Sequence, residues 1–394
     1  MFRKRRLSVL AAIIMALALS AVIGCASPTP PPAPTTQAPA QTTPALSPTA
    51  AFKPMTLSYA NPLAATGPQQ WTETMKPWSE EIARRTNGAV TIKPYHDGSL
   101  LGNTEMAQGL KIGTANLGNL QTGYYNSLMP AHTLDSVPLI SGPNPYANVL
   151  IERIVWSEFP VFNEEFEREN VVNLFVGATA PQIYIVKKPV KTLADLSGLR
   201  VRALGIYYPR MVQPVGMVPV SMSFADVYEA LQRGVLDGGI TAAVFIRQGQ
   251  WDKVAKQLVT PGAIPALAAG IAFVVNKDTW KELPQEVRKI MLEEGKKREA
   301  LFGKYMVDQD QVSIDASIKE ENCALTVLTE AEMQEWTSKV PDFLAEYAND
   351  VEARGIPGKE IVERVRELNK LSDAELEKLW EEAWNREMAR LLAM

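Results

Sequence analysis

Residues 192–202, Thr-Leu-Ala-Asp-Leu-Ser-Gly-Leu-Arg-Val-Arg, and residues 227–239, Val-Tyr-Glu-Ala-Leu-Gln-Arg-Gly-Val-Leu-Asp-Gly-Gly, decide the fold. In the first stretch Leu199, Val201 and Ala203 alternate with Arg200 and Arg202, the period-two pattern of a strand with two different faces. Pro219 to Met222 follow as a short extended piece. Ser223, with Asp226 three residues on, forms a variant of the capping box and predicts a helix there. Phe224, Val227, Tyr228 and Leu231 share one stripe of that helix, and Gly234 stops it. Strand, crossover and helix in this order build an α/β layer, and open sheets of that kind bind small ligands beyond the C-terminal ends of their strands. Arg202 stands at such an end.

Working outward, the upstream chain repeats the alternation. Met55 to Tyr59 reads as a strand, and Trp71, Met75, Trp78 and Ile82 recur at helical spacing up to the turn Thr86-Asn87-Gly88. A strand Val90 to Pro94, a helix over Glu105 to Ile112 and a strand Ala115 to Leu120 complete a βαβαβ start, which predicts a mainly parallel sheet covered on both faces. Val171 to Phe175 and Gln182 to Val186 are further strands, and Ala272 to Asn276 is a strand that crosses back to the first domain. After Pro284, residues 285–318 keep helical spacing throughout. Thr329-Glu330-Ala331-Glu332 and Ser372-Asp373-Ala374-Glu375 are capping boxes. The second opens an amphipathic helix to about Leu392 whose apolar side carries Leu376, Leu379, Trp380, Trp384, Met388 and Leu391. That helix either packs on the core or contacts a second copy or a membrane partner.

Several of these stretches together resemble one family. Asp195-Leu-Ser-Gly-Leu-Arg-Val-Arg202, Val218-Pro-Val220 and Val227 to Gly238, with Trp280-Lys-Glu-Leu-Pro284 downstream and Leu101-Gly102 and Leu110-Lys-Ile-Gly113 upstream, are similar to the solute-binding subunits (DctP type) of tripartite ATP-independent periplasmic (TRAP) transporters. The resemblance covers roughly residues 55–345. It implies a two-domain α/β fold of the periplasmic-binding-protein kind, type II-like, with a cleft, hinge strands and a long helix spanning both domains. Domain I would be 55–178 with 268–307, domain II 179–267 with 308–358, and 359–394 a helical extension. It further implies an arginine at position 202 that holds a ligand's carboxylate, no cofactor, and delivery to a membrane permease of one small and one large subunit driven by an ion gradient. There are two departures. Gln182 stands where sugar-acid-binding members have a second arginine, and Gly239-Ile240-Thr241 replaces the polar residues that often follow Asp-Gly. A glutamine bonds one oxygen but neutralises no second charge, so the ligand is expected to be less polar, smaller or singly charged.

A guanidinium suits this task because its planar fork meets a carboxylate with two parallel hydrogen bonds and stays charged at any relevant pH. The competing reading is a surface arginine in an ion pair, and Arg200, two residues earlier on the same face, is the internal competitor. By position, Gln121 and Thr122 form the matching lip of the cleft, with Asn61 at the end of the first strand and Thr241 after the Asp-Gly turn. Phe224 and Phe245 are candidates to cover ligand carbons, and Tyr207 or Tyr208 to supply a hydroxyl. Ordinary core packing is the alternative for each aromatic.

Composition narrows the rest. Residues 1–24 hold four basic and no acidic side chains, so the remainder, with 36 basic and 44 acidic groups, carries −8. Neither phosphate nor anionic lipid attracts such a surface, and no nucleic-acid partner is expected. Arg3-Lys-Arg-Arg6 and the apolar run to Gly24 read as a secretory leader, and Val22-Ile-Gly-Cys25 resembles the bacterial lipoprotein cleavage box, which would place an acylated Cys25 in the outer face of a membrane. An uncleaved anchor is the alternative. Ala26 to Ala51, rich in Pro, Thr, Ala and Ser, reads with the flanking residues (25–54) as an extended tether. Cys323 then has no disulfide partner and reads as a small buried hydrophobe. His96 and His132 read as loop residues, and neither has the further ligands a metal needs. A receptor for an ATP-driven importer or a sensor remains possible from sequence. A secreted α/β hydrolase would need a nucleophile, base and oxyanion donors, and two histidines with one unpaired cysteine do not assemble such a set.

Overall fold

The computed structural model describes residues 52–63, 68–138, 140, 142, 144–177, 179–264 and 270–394. The leader, Cys25 and most of the tether lie outside the described residues. Eleven strands occur among those described: β1 Met55–Ala60, β2 Val90–Tyr95, β3 Leu117–Gln121, β4 Val171–Val176, β5 Gln182–Val186, β6 Arg200–Arg202, β7 Val218–Val220, β8 Gly238–Ala242, β9 Gln257–Ile264, β10 Ile271–Asn276 and β11 Ala324–Val327. They form two sheets, in the orders β2-β1-β3-β10-β4 and β11-β9-β5-β8-β6-β7.

Both sheets are mainly parallel, as expected, with one strand of each running the other way. β10 lies antiparallel between β3 and β4, and β5 lies antiparallel between β8 and β9. These are the strands beside the two crossings of the chain. It leaves the first sheet after β4, enters the second at β5, and returns between Ile264 and Ile271 to add β10. The central strands β5, β8 and β10, and the edge strand β4 under its covering helices, are buried at every residue, which is why they read as apolar runs without alternation. Phe175 of β4 stacks on Phe273 of β10 at 4.5 Å.

The helix after Pro284 runs from Gln285 to Glu321. At 1.5 Å per residue its 37 residues span about 55 Å, enough to serve both lobes. Gly295 presses on Leu174 and Phe175 of the first sheet. Near its other end Ser317 Oγ donates to Asp252 Oδ2 at 2.8 Å, and Glu320 pairs with Arg247, both in the second lobe. The two-domain α/β fold with a long helix crossing both domains is thus present.

Both capping boxes form at the C-terminal end, at Thr329/Glu332 and at Ser372/Glu375. The final helix, Asp373–Leu392, buries Leu376, Trp380, Trp384 and Leu391 against the first lobe. Most of its apolar stripe is therefore spent on the chain's own core, with Leu379 and Met388 partly buried against it. Two local expectations need correction. Ser223 does not cap a helix: its hydroxyl donates to Asp226 Oδ2 at 2.9 Å, residues 224–226 form a turn, and the helix is Val227–Gln232, ended by Gly234 at φ +75°. His132 is a core residue, not a loop one. It is fully buried among Trp156, Phe162 and Phe166, with Nδ1 2.8 Å from Glu165 Oε2.

Candidate functional site

The last residue of β6 is Arg202, pinned by its register with Val220 of β7 and Gly239 of β8. Its side chain turns inward and is 6% exposed. Nε donates to Met222 O and Nη1 to Ile240 O, both at 3.4 Å, and Nη2 donates to the Tyr124 hydroxyl at 3.2 Å. All three acceptors are neutral. Among the described residues no carboxylate pairs with Arg202, and burial pulls its pKa below the usual arginine value. The guanidinium remains charged all the same. An unneutralised buried cation is expensive unless an anion completes it.

Arg200 is the opposite case. Its guanidinium grips Asp237 with Nε–Oδ2 at 2.9 Å and Nη2–Oδ1 at 3.1 Å, and donates to Gly234 O at 2.7 Å. It sits at the outer end of β6, exposed, with its charge already matched.

Arg202 faces a cavity of about 100 Å³ between the two sheets. The second lobe contributes Gln182, Leu204, Tyr208, Phe224, Ile240, Thr241 and Phe245 to its wall, and the first lobe Leu63, Gln121, Gly123, Asp135, Ser136 and Ile271, with Thr179 from the connection between them. Gln121 ends β3, Thr241 lies near the end of β8, and Gln182 opens β5 opposite Ala242. The strand ends thus converge on one space, as the sheet rule requires. Phe224 crosses Phe245 edge to face at 6.4 Å and lies 5.0 Å from Trp251, so an aromatic wall stands beside the cation. Among the described residues Arg202 is the only basic one of the lining. The acidic one is Asp135, fully buried; its Oδ2 accepts from Thr122 Oγ1 at 2.9 Å, and burial pushes its pKa well above the usual carboxylate range.

Seven of the residues singled out from sequence meet in this cavity: Arg202, Gln182, Gln121, Phe224, Thr241, Phe245 and Tyr208. Three others do not line it. Tyr207 turns away to pack on Phe343 at 5.6 Å, because successive residues of its helix point in different directions. Thr122 is buried behind the wall, its backbone N–H on Gly270 O at 2.9 Å and its hydroxyl on Asp135. Asn61 is held by His96 Nδ1 at 3.0 Å and by the Leu63 N–H, and so positions Leu63. Sequence reasoning passed over Tyr124, Leu204, Asp135 and Ser136. Tyr124 had one available signal, its place just past a strand end. Asp135 had none, lying in a 3₁₀ stretch without periodicity.

Among the described residues no group of three His, Cys, Asp or Glu side chains converges to hold a metal ion, and no helix is long and apolar enough to cross a membrane. Residues 64–350 match the family model of bacterial extracellular solute-binding proteins, family 7 (DctP). The chain belongs to that family. Among its relatives is a solute-binding protein of Chromohalobacter salexigens, 23% identical over 258 residues that make up 62% of this chain and 73% of that one. A TRAP periplasmic solute-binding protein from Desulfovibrio salexigens, solved as an open complex, is 26% identical with a TM-score of 0.67, covering 81% of this chain and 98% of its own. The one from Rhodoferax ferrireducens, in complex with copurified benzoate, superposes with a TM-score of 0.73 at 21% identity, covering 82% and 99%. The match to the family model stops at residue 350, so this family-7 protein continues well past the matched region, through the helices Gly358–Leu368 and Asp373–Leu392.

Proposed function

We propose that this family-7 protein is an extracytoplasmic receptor that captures a small organic monocarboxylate in the cleft and delivers it to the small and large membrane subunits of a TRAP transporter. One observation carries the reading: Arg202 is a buried cation with no acidic partner among the described residues, at the mouth of converging strand ends. The ligand's carboxylate would meet the guanidinium. Gln182, Gln121 and Thr241 would bond neutral polar atoms, and Phe224, Phe245 and Tyr208 would cover carbon, while Thr122, Tyr207 and Asn61 brace the walls. A single basic residue in the lining matches a single negative charge, since a second carboxylate would be desolvated opposite no cation. The benzoate that accompanied the Rhodoferax protein is a ligand of this chemistry.

We further read residues 55–178 with 268–307 as one lobe, 179–267 with 308–358 as the other, and residues 1–24 as a leader whose removal lets Cys25 be acylated, with 25–54 as the tether. Intact mass of the membrane-extracted protein tests this: a diacylglyceryl increment on Cys25 is expected, and an unmodified residue there overturns it. Calorimetric titration with pentanoate and glutarate, five-carbon acids with one and two carboxylates, tests the ligand. Tighter binding of pentanoate is expected, and a clear preference for glutarate refutes the monocarboxylate reading. Arg202→Met should weaken pentanoate binding by at least a hundredfold, the scale of a lost buried charge pair.

A further inference from the structure

Tyr124 belongs to the first lobe and Arg202 to the second, yet the two side chains touch. The 3₁₀ turn Thr122–Tyr124 follows β3 directly and is firmly held. Thr122 is tied to Gly270 and Asp135, the Tyr125 N–H donates to Thr122 O at 2.8 Å, and the Tyr125 hydroxyl is turned inward onto Asn103 O. Of the tyrosine pair, one ring is thus sunk in the first lobe and the other reaches across the cleft. Beside it the lobes also approach closely: a Cβ placed on Gly123 would stand 3.8 Å from Leu204 Cδ2.

Hydrogen-bond accounting at the guanidinium shows what this contact is for. Five N–H groups are available. Three are committed, one each on Nε, Nη1 and Nη2. One proton remains on each terminal nitrogen, and a carboxylate takes two such protons. The Tyr124 oxygen accepts from Nη2, and among the described residues its own O–H donates to no acceptor. An anion oxygen resting on the same nitrogen comes within reach of that hydroxyl.

We infer that Tyr124 is the first lobe's half of the anion site: its hydroxyl spans the cleft to Arg202 when the site is empty and donates its proton to the carboxylate when the site is filled. A single anion would then be gripped from both lobes at its charged end, so that capture and closure are one event. The inference rests on the receptor reading above and names the residue that makes the site bipartite.

The test compares wild type, Tyr124→Phe and Tyr125→Phe in full-length protein, with pentanoate as the probe in calorimetry and urea unfolding as the stability measure. Tyr124→Phe keeps the ring and removes one oxygen. It should weaken pentanoate binding ten- to a hundredfold and leave the urea midpoint within error of wild type. Tyr125→Phe should do the reverse, lowering the midpoint and leaving affinity within twofold. If wild type binds pentanoate and Tyr124→Phe binds it within twofold as well, the role of Tyr124 is overturned and the receptor reading stands. If wild type binds neither pentanoate nor glutarate, the receptor reading fails and takes this inference with it. A Tyr124→Phe protein that loses affinity only in step with its stability also overturns the inference, because the hydroxyl would then be structural.

Discussion

At the scale of single residues, the site is governed by which charges have partners. Arg200 and Arg202 differ by two positions and share a face of one strand, so alternation alone cannot separate them. What separates them is Asp237, far along the chain, which returns to neutralise Arg200 and leaves Arg202 to the cavity. The unpaired guanidinium weighs on the ligand-free protein. Replacing a buried charge with an apolar side chain of similar length is often neutral or stabilising by about 1–4 kcal/mol. The empty Arg202→Met protein should therefore melt at or above the wild-type temperature even though it no longer captures acid. A marked drop would mean that the three neutral acceptors already satisfy Arg202. Asp310 on the long helix gives a second prediction. Burial pushes its carboxyl up to about 6, against an ordinary 3.8, and the Ala243 N–H offsets only part of that. The folded state thus holds this proton more tightly than the unfolded state. Its contribution favours folding below about pH 4 and is lost as pH rises through 6, a swing on the order of 3 kcal/mol. Asp310→Asn should raise the melting temperature by a few degrees at pH 7.5 and match wild type near pH 4, as differential scanning fluorimetry would record.

Among the elements, helix ends were the most legible in sequence, because a capping box is a local bond pattern that needs no tertiary partner. Thr329 and Ser372 each bond the N–H three residues on, as their spacing implies. Ser223 had similar spacing without the result: its neighbour Asp226 competes for the hydroxyl, and the chain turns once more before the helix begins. What sequence could not show is the fastening of the last helix. Glu299, within the long helix, is wholly buried. Its carboxylate takes Arg153 at 2.7 Å, the Val176 N–H at 2.7 Å, and the indole N–H groups of Trp380 at 2.6 Å and Trp384 at 2.9 Å. Arg153 in turn lies over the Trp384 ring at 4.4 Å and donates to Asn173 Oδ1. Four elements distant in sequence meet at one carboxylate. Glu299→Gln would leave Arg153 buried without its counter-charge and should destabilise by about 3–5 kcal/mol. Trp384→Phe, which loses one hydrogen bond and some ring area, should cost roughly 1–2 kcal/mol. Chemical denaturation checks both, and near-equal losses would contradict the central place given to the carboxylate. Gly270 is constrained from another side: at φ +57° a Cβ would stand 1.8 Å from Thr122 Oγ1, so Gly270→Ala should displace Thr122 and the wall behind the cavity.

For the molecule as a whole, the alternation of strands and helices was enough to read α/β layers, while the division into two lobes came from the family resemblance. The one antiparallel strand in each sheet follows from the chain crossing between them; the return of β10 to the first sheet was legible, its antiparallel direction was not. The lobes are joined by more than the crossings. The long helix packs on both, and the helix Phe343–Glu352 binds Arg210 of the second lobe through Glu346 and Ala131 O of the first through the Tyr347 hydroxyl at 3.0 Å. So many ties predict a single cooperative heat-absorption peak for residues 52–394, with calorimetric and van't Hoff enthalpies agreeing, and bound pentanoate should shift that peak without splitting it. Two separate transitions would show that the lobes unfold independently.

The fastening at Glu299 also bears on how the gene should be handled. A recombinant version trimmed where the family match stops, at residue 350, would shed the segment carrying both tryptophans, strip the carboxylate of two of its donors, and bare a greasy trench along the first lobe. Such a product would be expected to clump in the expression host. Ligand screens and crystallisation trials on this chain are therefore best begun with its final 44 residues left in place.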